Sequence, residues 1–338
     1  MTNKIRTIHY GLGSIGSGMA RLAAQRSKQR TCLEIVGGID VDEQKVGRDM
    51  GEVIGLGQPL GLPVSSDPAA VFSQTEADVV LHSTGSYLEQ VRPQLVEIIE
   101  AGLNVVSTCE ELAYPQAQHP ALTEELDALA RKHGVTVLGT GVNPGFAQDT
   151  IAIVATGVCQ DVRHIQVTRI VEAGERRLQL QRKVGAGLTV AEFEEKVKKR
   201  EIRHVGLKES ATMVAHALGW QLDRVEETIE PVIAEKPVKS QFVAVKEGQV
   251  SGVHQVARGF KGGQELIVLH LYMHLGAENP GDSVVIEGRP DIELTIKGIH
   301  GDLATAAMAV NAVPRVVSAP PGLVTMKDLP LVCAWLGD

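Results

Sequence analysis

Two changes of pattern predict an α/β chain built in two parts. Strand-like and helix-like segments alternate to about residue 145, which specifies a doubly wound parallel sheet. Beyond Asp149, long stretches of alternating apolar and polar residues take over, interrupted by two helices, which specifies a second α+β domain of mixed sheet. The expected division is 1–146 with 300–338 for the first domain and 147–299 for the second.

The opening segment defines the first domain. Ile5-Arg6-Thr7-Ile8 reads as a short strand, and it runs into a G-x-G-x-x-G turn at Gly11, Gly13 and Gly16. A helix of small residues follows. Gly11 permits the tight turn, Gly13 lets backbone approach a pyrophosphate, and Gly16 lets the helix lie close on the strand. The N–H groups of Ser14 and Ile15 then point from the helix N-terminus toward an anion. This is the fingerprint of a dinucleotide-binding Rossmann domain. A second strand, Leu33 to Ile39, ends at Asp40, where an acidic residue meets an adenosine ribose. Asp40 favours NAD over NADP, because a carboxylate repels a 2′-phosphate; Lys45 and Arg48 stand close enough in sequence to keep NADP open.

The later elements follow in order. Asp67-Pro68 opens a helix, Ala77 to Thr84 is a buried strand, Leu88 to Ala101 a helix and Asn104 to Ser107 a strand. A helix starts near Pro120, and Val135 to Leu138 closes the series. In the second part, Val162 to Val171, Arg224 to Ala234, Gln249 to Arg258, Glu265 to Leu275 and Ser283 to Ile296 alternate as strands. Lys246 to Gln249 reads as a hairpin turn, and Gln181 to Gly187 as a glycine-rich basic loop. Helices are expected at Thr189 to Lys199, opened by a Thr189-x-x-Glu192 capping box, and at Glu209 to Leu218. A final helix, Leu303 to Asn311, ends before Pro314 and is expected to return to the first domain.

Composition excludes several functions. The net charge of −8 argues against nucleic acid or an anionic membrane as partner. No apolar run reaches membrane-spanning length, and a first strand beginning near Lys4 leaves no room for a signal peptide. Cys32, Cys109, Cys159 and Cys333 show no C-x-x-C spacing, so a cytoplasmic protein with reduced thiols is expected. His270-x-x-x-His274 lies in a strand without a third ligand, so no metal site is expected.

Ligands of such a sheet lie at the carboxyl ends of its strands, and chemistry is sought there. His82, Ser83, Thr84 and Gly85 offer small polar groups where a nicotinamide ribose passes, or simply end the strand. Thr108 and Cys109 lead to Glu110 and Glu111, and a carboxylate there can hold an amine, accept its proton and return it. As helix N-terminal carboxylates, the two would instead be idle. Gly139 to Phe146, with Asn143-Pro144 at its centre, marks a turn at the same edge and the exit to the second domain. Arg169 shares a strand face with Ile165, Val167 and Val171, so its guanidinium needs a carboxylate, either of the protein or of a ligand.

Taken together, Tyr10-Gly-Leu-Gly-x-Ile-Gly, Ser107-Thr-Cys-Glu-Glu-Leu112, Gly141-Val-Asn-Pro-Gly-Phe146, Gln181-x-Lys-Val-Gly-Ala-Gly187, His204-Val-Gly-Leu-x-Glu-Ser210 and Gly301-Asp-x-Ala-Thr-Ala-Ala307 resemble the 2,4-diaminopentanoate dehydrogenases and related native amine dehydrogenases. These belong to the dihydrodipicolinate-reductase-like superfamily. The resemblance runs from residue 4 to about 330, taking in Pro321-Gly-Leu-x-Thr-Met-x-Asp-Leu-Pro330. It implies a homodimer and the reversible oxidative deamination of an amine or diamino acid with NAD or NADP, giving ketone and ammonia. It also places the family's catalytic glutamate on Glu110, with Glu111 the second choice. Asn143 then falls at the cofactor, and Pro144, Phe146, Ala147, Arg169 and His204 at the substrate. Ala147 is small and leaves room for a bulkier amine; Arg169 and His204 are partners for a substrate carboxylate. Two other readings stay open: another amino-acid dehydrogenase of the superfamily, and a non-catalytic NAD-binding regulator.

Overall fold

The computed structural model describes residues 4–30 and 32–335. The chain divides into two compact units, Met1–Phe146 with His300–Asp338, and Ala147–Ile299. In the first, the elements up to the boundary are β1 (Ile5–Tyr10), α1 (Ser14–Arg30), β2 (Leu33–Ile39), α2 (Met50–Val53), β3 (Val64–Ser65), α3 (Pro68–Gln74), β4 (Val79–His82), α4 (Leu88–Glu100), β5 (Asn104–Ser107), α5 (Pro120–His133) and β6 (Thr136–Gly139).

The second unit contains α6 (Thr150–Thr156), β7 (Asp161–Glu172), α7 (Leu178–Lys183), α8 (Val190–Lys198), α9 (Leu207–Ala217), β8 (Arg224–Ile233), β9 (Val238–Lys239), β10 (Ala244–Val245), β11 (Val250–Lys261), β12 (Gln264–His274), β13 (Gly281–Arg289) and β14 (Ile292–Ile296). The first unit is completed by α10 (Gly301–Val317) and β15 (Gly322–Val324).

The first unit is a seven-stranded parallel sheet in the order β15-β6-β5-β4-β1-β2-β3. Its crossovers reverse direction between β1 and β4, and Tyr10 pairs with His82 at that point. The crevice at a reversal is where open sheets bind ligands. One side is filled by α4 and α5: Leu88, Val91, Leu95, Ile98 and Ile99 lie on one stripe of α4 and bury against Ile8, Val80 and Val105. On α1, Arg26 donates to Asn311 of α10 at 2.7 Å.

The last helix is longer than its sequence suggests and passes through Pro314. A mid-helix proline removes one amide donor at a cost of about 3 kcal/mol. Val310, Ala312, Val313 and Val316 are buried on both sides of it, and their burial outweighs that loss.

The second unit is a mixed six-stranded sheet in the order β14-β13-β7-β12-β11-β8, with β7 and β12 parallel and the other pairs antiparallel. Its core face carries Ile165, Val167, Val253, Ala257, Ile267, Leu269, Val284 and Ile286 against Phe193, Leu207, Ala211 and Val214 of the helices. The opposite face carries a stack of His254, His270 and Tyr272, in which His254 Nε2 lies 3.1 Å from His270 Nδ1. The capping box of α8 forms as the sequence requires, with Thr189 and Glu192 each bonded to the other's backbone N–H.

Three local expectations are corrected. Ser283 to Ile296 is a hairpin and not one strand, because Pro290 interrupts the ladder and Asp291 accepts the Gly288 N–H at 2.8 Å. The Lys246 to Gln249 turn forms, yet it joins β10 and β11, which lie in different sheets. Gln181 to Lys183 belongs to a short helix, where Gln181 is fully buried and its amide donates to the Arg176 and Gly174 carbonyls.

Buried histidines give the first unit an acid sensitivity. Burial pushes the imidazoles of His9 and His82 down to about 3 and about 4. Between these values and the ordinary pKa near 6.5, the unfolded chain binds protons that the native chain refuses. Stability is therefore full above about pH 6.5 and falls as the pH drops toward 4, by on the order of 3 kcal/mol for each such ring. Calorimetric melts at intervals between pH 7 and pH 4.5 should show this slope, and His9→Leu should flatten it. An equal slope in the variant would contradict the assignment.

Candidate active site

The glycine turn is built by steric necessity. Gly11 has φ of +91°, and a Cβ there would sit 2.5 Å from the Ser83 carbonyl oxygen. A Cβ on Gly16 would sit 1.8 Å from the Gly11 carbonyl oxygen. Gly13 is different: it is exposed, and a Cβ there would meet nothing within 4 Å. Ser14 is exposed too, Ile15 is half-buried, and the first turn of α1 holds no acidic residue. An open glycine before a helix N-terminus free of negative charge fits a pyrophosphate. These contacts separate folding from binding. Gly16→Ala should destabilise the fold. Gly13→Ala should melt within about 1 kcal/mol of wild type while NADH affinity falls about tenfold. Calorimetry and NADH fluorescence titration read the two effects; tight binding by a folded Gly13→Ala protein would contradict this assignment.

Asp40 follows β2 and is buried. Its Oδ2 accepts the Leu12 N–H at 2.7 Å and Lys45 Nζ at 3.0 Å, and its Oδ1 accepts the Asp42 N–H at 2.9 Å. Burial alone would raise its pKa, but the Asp42 and Leu12 amides and Lys45 outweigh this and hold the carboxyl below the usual range. Lys45 is also 3.3 Å from Asp42, so one lysine lies between two carboxylates. Arg48 is paired at 3.9 Å with Glu52.

The loops after β4 and β5 lie side by side. Ser83 Oγ donates to the Gly11 carbonyl at 3.0 Å, tying this turn to the glycine loop; Thr84 beside it is exposed and Gly85 half-buried. The Thr108 N–H donates to the His82 carbonyl at 3.0 Å. Cys109 is buried, and burial raises its thiol pKa far above the ordinary value, so it stays protonated.

The two glutamates have different surroundings. Glu111 is buried; its carboxylate accepts the Leu88 N–H at 2.7 Å, where α4 begins, and lies 3.0 Å from His119 Nε2. Its own N–H donates to the Ser86 carbonyl at 3.3 Å. Glu111 therefore staples the loop after β5 to the start of α4. Glu110 precedes the short 3₁₀ turn Glu111–Ala113 and is half-buried.

Beyond β6, Asn143 and Pro144 are buried and joined by a cis peptide bond, and Gly145 has φ of +121°. Phe146 is half-buried and Ala147 is buried.

In the second unit, Arg169 finds its counter-ion within the protein. It stands opposite Asp282 across β7 and β13, and its Nη1 donates to Asp282 Oδ1 at 2.6 Å, with both side chains 5% exposed. His204 is held through its backbone: its N–H donates to Gln255 Oε1 at 2.7 Å, and Gln255 Nε2 donates back to its carbonyl at 2.7 Å. Gln255 also donates to Glu227, which pairs with Arg203 at 2.8 Å. Burial, Lys183 and Arg169 push the His204 imidazole down to about 3, so it is neutral. Sequence reasoning missed Asp282 and Gln255, and it gave His82 as a polar strand end without its partners. A buried strand polar residue was the only signal, and it does not name a partner.

A family model for the 2,4-diaminopentanoate dehydrogenase C-terminal domain matches residues 146–338. The chain is 34% identical to a 2,4-diaminopentanoate dehydrogenase of Acetoanaerobium sticklandii, over 99% of this chain and 96% of that protein. It is 25% identical to an amine dehydrogenase of Streptomyces virginiae, over 97% and 96% of the two chains. The structure of an amine dehydrogenase from Mycobacterium smegmatis superposes with a TM-score of 0.87, at 28% identity and over 99% of both chains. The chain belongs to the 2,4-diaminopentanoate dehydrogenase family.

Proposed function

We propose that this chain is an NAD(P)-dependent amine dehydrogenase, with NAD favoured, that reversibly deaminates an amine or diamino acid to ketone and ammonia. The observation that carries this reading is that the glycine turn, the turn after β4 and the loop after β5 that bears Glu110 adjoin at one sheet edge. Glu111 accepts the Leu88 N–H and lies 3.0 Å from His119 Nε2, and the half-buried Glu110 precedes it in the same loop. The family membership supports the same activity.

When bound, the nicotinamide supplies the carbon that exchanges a hydride with the substrate. Gly11, Gly13, Ser14, Ile15 and Gly16 would hold its pyrophosphate, Asp40 its adenosine ribose, and Ser83, Thr84, Gly85, Thr108, Cys109 and Asn143 its nicotinamide half. Glu110 holds the substrate ammonium and takes one of its protons, which frees the nitrogen lone pair. As the C–H bond breaks, that lone pair forms an iminium. After passing that first proton to solvent, the same carboxylate takes a proton from water as the oxygen attacks, gives it to the nitrogen, and takes the hydroxyl proton as ammonia leaves and the ketone forms. Pro144, Phe146 and Ala147 would shape the substrate's apolar part. Arg169 and His204 stay the proposed partners of a substrate carboxylate, with Arg169 already paired to Asp282 and His204 neutral. NAD is favoured over NADP because Asp40 and Asp42 outnumber Lys45 at the strand end. A cytoplasmic homodimer completes the proposal. No helix among the described residues is long and apolar enough to cross a membrane.

The test is NADH absorbance in the presence of ammonium and a panel of ketones, with and without a carboxylate. Consumption with at least one ketone supports the reading. Tight NADH binding with no consumption would point to a regulator, and consumption with 2-oxo acids alone to an amino-acid dehydrogenase.

A further inference from the structure

His82 ends β4 with no exposed surface and touches both loops of the reaction edge. The Thr84 hydroxyl donates to Gln94 Oε1 at 2.5 Å, so the amide oxygen faces the imidazole. That oxygen and Thr84 Oγ1 lie 2.8 and 2.9 Å from His82 Nε2. A carbonyl oxygen only accepts, so Nε2 carries the proton. The lone pair of the neutral ring is then at Nδ1, 2.8 Å from Ser107 Oγ, and the Ser107 hydroxyl donates to it. Ser107 Oγ in turn accepts the Cys109 N–H at 3.1 Å, one residue before Glu110. Donation in this chain has one direction: it runs from the Cys109 N–H, beside Glu110, through Ser107 and His82 to the Gln94 amide oxygen at the Thr84 turn.

We propose that His82 is a positioning residue: in a single Nε2–H tautomer its ring ties the Thr84 turn to the Ser107–Cys109 strand end and so sets where Glu110 stands. The proposal deepens the amine-dehydrogenase reading and rests on it. Burial keeps the ring neutral down to about pH 4, so the tautomer persists through the working range. The two ends of the ring serve two tasks, one toward the cofactor turn and one toward the acid–base segment. A displacement of an ångström at either is enough to cost activity or affinity.

The two ends can be separated by substitution. His82→Gln keeps a donor near the Nε2 position and abandons Ser107. We expect NADH affinity within about twofold of wild type and kcat lowered about tenfold or more. His82→Asn keeps an acceptor near Nδ1 and abandons the Thr84 turn. It should raise the Kd for NADH about tenfold and leave kcat within about threefold. Parallel losses of kcat and affinity in both folded variants, or no loss in either, would overturn the proposal. Side-chain ¹⁵N NMR of the wild-type protein does not depend on a variant's folding. It should show a neutral His82 with the proton on Nε2 from about pH 5.5 to pH 8, and a proton on Nδ1 would overturn the proposal. Absence of amine turnover would defeat the dehydrogenase reading alone, since the tautomer and the NADH affinities are read without it.

Discussion

Glu110→Gln is expected to lower kcat for amine oxidation about a thousandfold and to leave NADH affinity within about twofold. The amide preserves volume and can still accept a hydrogen bond, but it cannot take a proton from the ammonium or from water. Losses of 10²–10⁴ are ordinary for a removed general base. Glu111→Gln makes the informative contrast. Its carboxylate accepts the Leu88 N–H and lies against His119, so a neutral amide weakens a charge-assisted staple of about 1–3 kcal/mol. The loss should appear in the melting temperature, with kcat falling far less than in Glu110→Gln. Rates and melts on both variants decide the assignment. A large rate loss confined to Glu111→Gln would exchange the two roles.

The second large effect concerns the buried pair of the second unit. Arg169→Met leaves the Asp282 carboxylate buried without its partner and should destabilise the chain by about 3–5 kcal/mol in denaturant unfolding. Burial dominates at both members: it lowers the pKa of Arg169 and raises that of Asp282 despite their contact at 2.6 Å. Desolvation thus exceeds mutual attraction, as buried pairs often show. The double variant Arg169→Met with Asp282→Leu is accordingly expected to recover stability to wild-type level or above. It also isolates any role toward substrate. A raised KM for a carboxylate-bearing amine in that stable double variant assigns Arg169 to recognition, and an unchanged KM assigns it to the protein interior.

Most of the first unit was legible because its signals are local. The glycine spacing, the acid after the second strand and the repeated strand–helix alternation each require only short windows of sequence. Glu110 and Glu111 could not be separated that way, because the neighbours Leu88, Ser86 and His119 that hold Glu111 are spatial. Arg169 shows the same limit from another side. Period two placed it on an apolar face and demanded a carboxylate, but Asp282 is brought opposite by antiparallel register across 113 positions. The break at Pro290 was readable in principle, since proline removes a ladder donor, and the alternation on both sides hid it. His82 was named at the strand end, but its partners were hidden: they lie on the next strand, on the following helix and two residues on, and no one-dimensional pattern joins them.

A crystal structure with bound NADH tests the account most directly. It should show the pyrophosphate over Gly13 and the α1 N-terminus, with the Glu110 carboxylate facing the nicotinamide ring at a distance that leaves room for one substrate nitrogen. Glu110 turned into solvent, with no other ionisable side chain facing the ring, would contradict the account.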